Sequence, residues 1–176
     1  MGWLTEPLAR MKALIEGTYP AIPVTGRSVP ASTFTARRVQ GDLASPQFPG
    51  NLFHRAFDFV IEASGGVPGD PPNVHAGSMR RRAVVLLRIG YLDGEDAPVA
   101  TTEIPYYTPS ETGHDDHETI EQALRYPAFW GGTTPAIVSL IPLGDATTQV
   151  VVLHERFLVV RRWELICSYA PGTVHP

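Results

Sequence analysis

The sequence predicts an α+β fold: a single domain over residues 1–176, with a mostly antiparallel or mixed β-sheet, two short helices packed on one face, and a long β-hairpin. Three observations predict it. Residues 147–154 (TTQVVVLH) and 157–169 (FLVVRRWELICSY) are long β-type runs rich in Val, Leu, Ile and aromatics, separated only by Glu155-Arg156. A short helix with entry signals lies upstream of them. A further long strand lies upstream of that helix. At 176 residues with 43% hydrophobic content, one domain with a real core is the expectation.

The elements follow in order. Thr5 caps an N-terminal helix with Pro7 in its first turn, and Leu4, Leu8, Met11 and Ile15 recur at near-helical spacing, with Leu14 beside them. Gly17 and Pro20 stop it. Residues 21–51 show no sustained period, and Pro recurs at 20, 23, 30, 46 and 49. Within them, residues 33–39 (TFTARRV) form a weak strand pattern. Residues 55–62 (RAFDFVIE) alternate, with Phe57, Phe59 and Ile61 on one face and Asp58, Val60 and Glu62 on the other, as in a half-buried antiparallel strand. Residues 65–78 (GGVPGDPPNVHAGS) read as a long Gly/Pro loop. Residues 80–92 (RRRAVVLLRIGYL) form the return strand, with Ala83, Val85, Leu87, Ile89 and Tyr91 sharing a face. A turn follows at residues 92–98, then an extended stretch at 99–107. Asp115 or Asp116 then caps a second helix over residues 117–125, with Glu118 completing a capping box and Ile120 and Leu124 on the buried side. Tyr126-Pro127 ends that helix. Residues 137–143 form a short strand of their own. Val151, Leu153, Val159, Trp163, Leu165 and Tyr169 are expected to face the helices together with Val85, Leu87 and Ile89. The irregular stretches 17–52 and 65–78 are expected to gain order from neighbouring subunits.

Composition narrows the function classes. Net charge is −4 and the pI about 5.8, which argues against general nucleic-acid binding. Thirteen of the fourteen basic residues are Arg, for which base composition of the coding DNA suffices, although Arg also suits interface ion pairs. The single Cys167 excludes an intrachain disulfide and sits in an apolar strand, where an inert, buried thiol is expected. The first fifteen residues carry no secretory pattern, and no apolar run approaches the ~20 residues of a membrane helix. A soluble, intracellular product with no membrane contact is the expectation.

Few residue clusters could carry chemistry. His114-Asp115-Asp116-His117 places four possible ligands in succession, and His114 and His117 are the candidate metal ligands. Because ligands must converge, a solvated helix cap is the plainer reading, and no metal or other cofactor is expected. Asp58 and Glu62 read as the wet face of a sheet. Nucleophile-elbow, Walker, dinucleotide and zincin motifs are all missing. The interface candidates are Arg80, Arg81 and Arg82, the pair Arg161 and Arg162, and Val67, Asn73 and His75 in the long loop. Strand alternation puts Arg161 on the Phe157/Val159/Trp163/Leu165 face, where it needs a partner within the fold or across a subunit contact. A solvated tip is the plain alternative for each Arg. Tyr106, Tyr107, Phe129, Trp130 and Trp163 read as core or interface anchors.

The order of elements resembles the tail terminator (tail-completion, minor tail U-like) proteins of long-tailed phages. The stretches that carry it are RRRAVVLLRIGYL, the helix in HDDHETIEQALRYPAFW, and VVVLHERFLVVRRWELICSYA, whose late strand ends at Ser168-Tyr169. The likeness is topological and covers residues 1–16 and 53–170. It implies a structural virion protein without catalysis, a ring, usually a hexamer, that caps the tail tube and joins it to the head connector. Its implied partners are further copies of itself, the tail tube protein and the connector or stopper, with DNA passing through the lumen unread. The implied location is the tail or neck of the virion, assembled in the host cytoplasm. Other neck, connector or stopper proteins fit the same order. From other classes, a small metal-dependent enzyme using His114 and His117 and a small-ligand-binding module remain as alternatives.

Overall fold

The computed structural model describes residues 3–16, 23–24, 27–28, 42–50, 53, 55–67, 79–92, 109–125, 136–152 and 155–169. Among the described residues two helices, α1 (Thr5–Glu16) and α2 (Pro109–Leu124), accompany two sheets. A two-residue ladder pairs β1 (Pro23–Val24) with β2 (Arg27–Ser28). The main sheet joins β3 (Phe57–Gly66), β4 (Met79–Leu92), β5 (Ala136–Val152) and β6 (Arg156–Tyr169) in the order β3-β4-β6-β5, antiparallel throughout. The α+β class expected from the sequence is what the chain adopts.

Period-two alternation sets the register. Ala83, Val85, Leu87, Ile89 and Tyr91 are all buried on one face of β4, and Val85 lies opposite Trp163, Ile89 opposite Val159. On that face the sheet meets Leu4 just before α1, Met11 and Ile15 of α1, and Ile120 and Leu124 of α2 in one core, with Trp163 at 1% exposure. Glycine lets α2 close on the sheet. A side chain at Gly113 would begin 2.2 Å from Val159 Cγ2 and 2.9 Å from Tyr91 Cε2, so the helix backbone rests directly on β6 and β4.

The opposite face is covered at one end by residues 42–50, 53, 55 and 56. This stretch folds as a chain of short turns: Ala44 N–H donates to Asp42 Oδ1 (3.0 Å), Phe48 N–H to the Ser45 carbonyl (3.0 Å) and Phe53 N–H to the Gly50 carbonyl (3.0 Å). It presents Leu43, Phe48, Phe53 and Ala56 to Leu158 and Val160 of β6 in a second core. Arg156 holds it from below, stacking over the Phe53 ring at 5.6 Å and donating to the Phe48 carbonyl.

Several expectations are corrected. The expected strands at 137–143 and 147–154 are not separate: residues 137–143 and 147–152 form one strand, and residues 153–154 lie outside the described residues. That strand is β5, which absorbs Gly144 (φ 77°), Asp145 and Ala146 as an irregularity between Leu143 and Thr147. Helix α2 starts at Pro109, eight residues before the expected start, so Asp115 and Asp116 lie inside it and cap nothing. The hairpin loop is shorter than expected, because Gly65 and Gly66 pair with Arg82 and Arg81 as the end of β3. Val151 packs in the second core, away from the helices. Residues 42–50 fold through contacts within their own chain. The expected strands at 33–39 and 99–107, Tyr106, Tyr107, Phe129 and Trp130, and the placement of Leu153 and of the Tyr169 side chain lie outside the described residues.

The enclosure of Trp163 yields a direct measurement. Trp163→Ala is expected to lower unfolding stability by ~3–5 kcal/mol in urea denaturation. A loss below ~1 kcal/mol would show that the indole is not enclosed between helices and sheet.

Candidate functional site

The most distinctive polar arrangement lies at the end of the sheet where β3 begins and β4 ends. Arg55 precedes β3 and has a left-handed backbone (φ 53°), a conformation costing a non-glycine residue on the order of 1–2 kcal/mol. Two contacts hold it there. Its N–H donates to the Gly90 carbonyl at 2.6 Å, and Gly90 N–H donates to the Ala56 carbonyl at 2.9 Å. This close approach requires glycine: a Cβ at position 90 would sit 2.6 Å from the Phe53 carbonyl oxygen.

From that backbone the Arg55 side chain crosses to the helix-bearing face. Its Nε donates to Asp116 Oδ2 at 3.0 Å and its Nη2 to Asp116 Oδ1 at 2.9 Å, a bidentate pair. Tyr91 Oη donates to the same Oδ2 at 2.7 Å. Arg55 and Asp116 are each 1% exposed and Tyr91 is fully enclosed. Burial pushes the Asp116 carboxyl up to about 6 against the opposing pull of Arg55 and Tyr91. At neutral pH it is therefore an ionised carboxylate holding three donors. Burial likewise raises the Tyr91 hydroxyl well above its ordinary value, with the Asp116 charge adding to the effect. The cluster is sealed from solvent. Its chemical capacity is to tie the turn segment, β4 and α2 together, not to bind a substrate.

His117, next along α2, is also fully buried. Its Nε2 lies 3.0 Å from the Val159 carbonyl oxygen, an acceptor, so Nε2 carries the proton and Nδ1 is the bare nitrogen. Nδ1 meets no partner among the described residues. Burial, with Arg161 and His114 nearby, lowers the imidazolium pKa to about 4. The solvated-turn reading of His114-Asp115-Asp116-His117 thus fails for Asp116 and His117, which point inward because the helix starts earlier than its acidic residues suggested. His114 and Asp115 are half-buried. Among the described residues no three His, Cys, Asp or Glu side chains come together as a metal site requires.

The other candidates fall in three places. Arg161 lies under α2: its Nη1 is 2.7 Å from Glu121 Oε2 and its guanidinium stacks over Trp163 at 5.7 Å, so its partner is internal and its tip is not solvated. Arg82 and Arg162 lie on the opposite face, where Arg82 pairs with Glu164 and Arg162 Nε reaches Glu62 Oε2 at 2.9 Å. Arg88 joins them, with Nε 2.8 Å from Asp58 Oδ1, the residue directly across the ladder. Asp58 is thus paired with Arg88 of the adjacent strand and Glu62 with Arg162 of β6, across β4, on the partly exposed face away from the helices. Arg80 and Arg81 are exposed near the hairpin tip and Val67 is half-buried just past β3, while Asn73 and His75 lie outside the described residues. Cys167 is fully buried, and burial pushes its thiol up to about 12, consistent with an inert side chain. No described helix is long and apolar enough to cross a membrane.

The exposed apolar surface has a clear distribution. Among the described residues the exposed large aliphatics are Ile61, Val138, Ile141, Leu143 and Val150, and all lie on β3 or β5, the two edge strands. The chain matches no protein-family model, and no curated protein matches it in sequence.

Sequence reasoning missed the Arg55–Asp116–Tyr91 cluster. Arg55 read as the first residue of a strand and Asp116 as a cap, and nothing local couples residues 61 positions apart.

Two predictions follow from this geometry. Arg55→Met and Asp116→Leu are each expected to cost about 3–5 kcal/mol, because each strands a buried charge. The double variant is expected to lose much less than the sum, as a double-mutant cycle in urea reads directly. Strictly additive costs would mean that the two side chains are not coupled.

His117 generates a pH dependence. Its folded value is about 4 and its ordinary value 6.5, so the unfolded chain takes up the proton first as pH falls. Its stabilising contribution is complete above pH 6.5 and is lost on acidification towards about pH 4, on the order of 3 kcal/mol. Asp116, raised from 3.8 to about 6, acts in the opposite sense between those values and offsets part of the loss. His117→Gln keeps a donor for Val159 but does not titrate. The stability difference between wild type and this variant is expected to shrink across that window; a constant difference would place His117 in a solvated setting.

Proposed function

We propose that this chain is a structural assembly protein of a phage-type tail, a tail terminator that forms a ring, caps the tail tube and joins it to the head connector. One observation carries the assembly part of this reading: the exposed large aliphatics of the described residues fall on the two strands that have no second partner among those residues, and sheet edges are where neighbouring polypeptides dock most readily. The sealed clamp and the ion pairs Arg82–Glu164, Arg88–Asp58 and Arg162–Glu62 support it by stiffening the sheet between those edges. The order of elements, an N-terminal helix, a hairpin, a second helix and two closing strands, supports the assignment to tail terminators. A stopper or another neck protein shares the same architectural support and differs in what its ring meets.

The test is the mass of the purified protein alone and with tail tubes. A ring-sized species that binds tube ends and halts their growth is expected. A protein that stays monomeric and leaves tube growth unchanged overturns the proposal. A ring that binds the connector but ignores tube ends reassigns it to the stopper class.

A further inference from the structure

Residues 42–50 lie on the sheet without joining it. Ser45 N–H donates to the Asp42 carbonyl (2.8 Å), Phe48 N–H to the Ser45 carbonyl (3.0 Å) and Gln47 N–H to Ser45 Oγ (3.3 Å), so the turns of this stretch close on themselves. Ser45-Pro46 opens the second turn with residues that such a turn favours, and Pro46 and Pro49 fix φ on either side of Gln47-Phe48. Among the described residues no backbone hydrogen bond runs from 42–50 to a strand. The attachments are made by side chains. Leu43 and Phe48 bury against Leu158 and Val160. Arg88 Nη2 holds Asp42 Oδ1 at 2.8 Å, and Arg156 Nη1 donates to the carbonyls of Phe48 and Pro46.

A few residues further on the attachment changes in kind. Phe53 lies directly over Gly90. Arg55 N–H donates to the Gly90 carbonyl, and Gly90 N–H donates to the Ala56 carbonyl, so here the backbone itself is bonded to β4. The Arg55 side chain is held at the same time by Asp116 under α2. One end of the segment is thus bonded to both faces of the molecule, and the stretch before it rests on a few side chains.

We infer that residues 42–50 form a strap that lifts from the sheet as one unit, turning about a fixed pivot at Phe53, Arg55 and Ala56 and uncovering Leu158 and Val160 of β6 while α2 and the ladder stay in place. The inference goes beyond the assembly reading and does not depend on it. Lifting the strap frees Leu43 and Phe48 and breaks the bonds of two arginines. Unfolding the ladder breaks the larger core around Trp163 as well. Because an opening that exposes less apolar surface has the lower free energy, the strap opens far more often than the sheet. The strap therefore keeps an apolar strip of β6 from water when closed and presents it when open.

Native-state hydrogen exchange of the full chain, followed by NMR at rising urea below the unfolding transition, tests this. After correction for intrinsic rates, the Ser45 and Phe48 amides are expected to exchange at least about tenfold faster than those of Arg55 and Gly90, and with little dependence on urea. Arg156→Met keeps the apolar stem and removes the two carbonyl bonds. It is expected to speed exchange at Ser45 and Phe48 by about tenfold more and to leave Arg55 and Gly90 unchanged. Ser45 and Phe48 amides that exchange only through global unfolding, as Gly90 does, overturn the proposal, because the strap would then belong to the core. Amides that exchange like an unstructured peptide overturn it too, because no closed strap would exist. An Arg156→Met chain in which Arg55 loosens as much as Phe48, or in which neither changes, refutes the fixed pivot or the hold of Arg156 and sinks the device.

Discussion

The pairing of Arg55 with Asp116 is the contact on which the two sides of this molecule depend. The sheet carries helices on one face and a turn-built segment on the other, and few direct contacts can join covers separated by a sheet. Arg55 does so from the sheet's end. Its backbone belongs to the segment that buries Phe53 against Leu158 and Val160, while its guanidinium lies beneath α2. Tyr91 draws β4 into the same contact. A left-handed arginine backbone is tolerable here because two opposed backbone hydrogen bonds with Gly90 and Ala56, and a bidentate ion pair, outweigh its cost.

Such a contact confers less net stability than its short distances suggest. Desolvating an arginine and a carboxylate offsets most of their attraction, and the upward push on Asp116 is the visible sign of that cost. What the pair supplies is position. The bidentate contact sets α2 against the segment that precedes β3. Gly113 against Val159 and His117 against the Val159 carbonyl fix the same helix from below. On the opposite face the ion pairs are partly exposed and individually weak, but Arg162–Glu62 spans from β6 to β3 over β4, and such links resist shear between strands. Among the described residues the exposed large aliphatics are confined to the two edge strands of this sheet.

What could be read from the sequence alone was whatever repeats with a short period. The buried face of β4 was legible because Ala83, Val85, Leu87, Ile89 and Tyr91 alternate without a break, and so was the placement of Val159, Arg161, Trp163 and Leu165 on one side of β6. Helix α1 was legible from Leu4, Met11 and Ile15. From these alone the α+β class followed. The start of α2 and the unity of β5 did not follow, because local signals there have two meanings. Consecutive aspartates suit a helix cap as well as a helix interior with a buried cation, and Pro142 with Gly144-Asp145 suits a turn as well as an interrupted edge strand.

Only the tertiary structure decided between those meanings. Asp116 lies within α2, and not at its start, because its partner arrives from residue 55; β5 runs through its irregularity because β6 offers a ladder on both sides of it. The Pro-containing stretch 42–50 had no period to read, since its order comes from turns that fit Leu43 and Phe48 onto Leu158 and Val160. Side-chain periodicity is set by backbone geometry and is written locally. The pairing of a charge or a strand edge with something far along the chain is set by three-dimensional proximity, which local pattern does not encode.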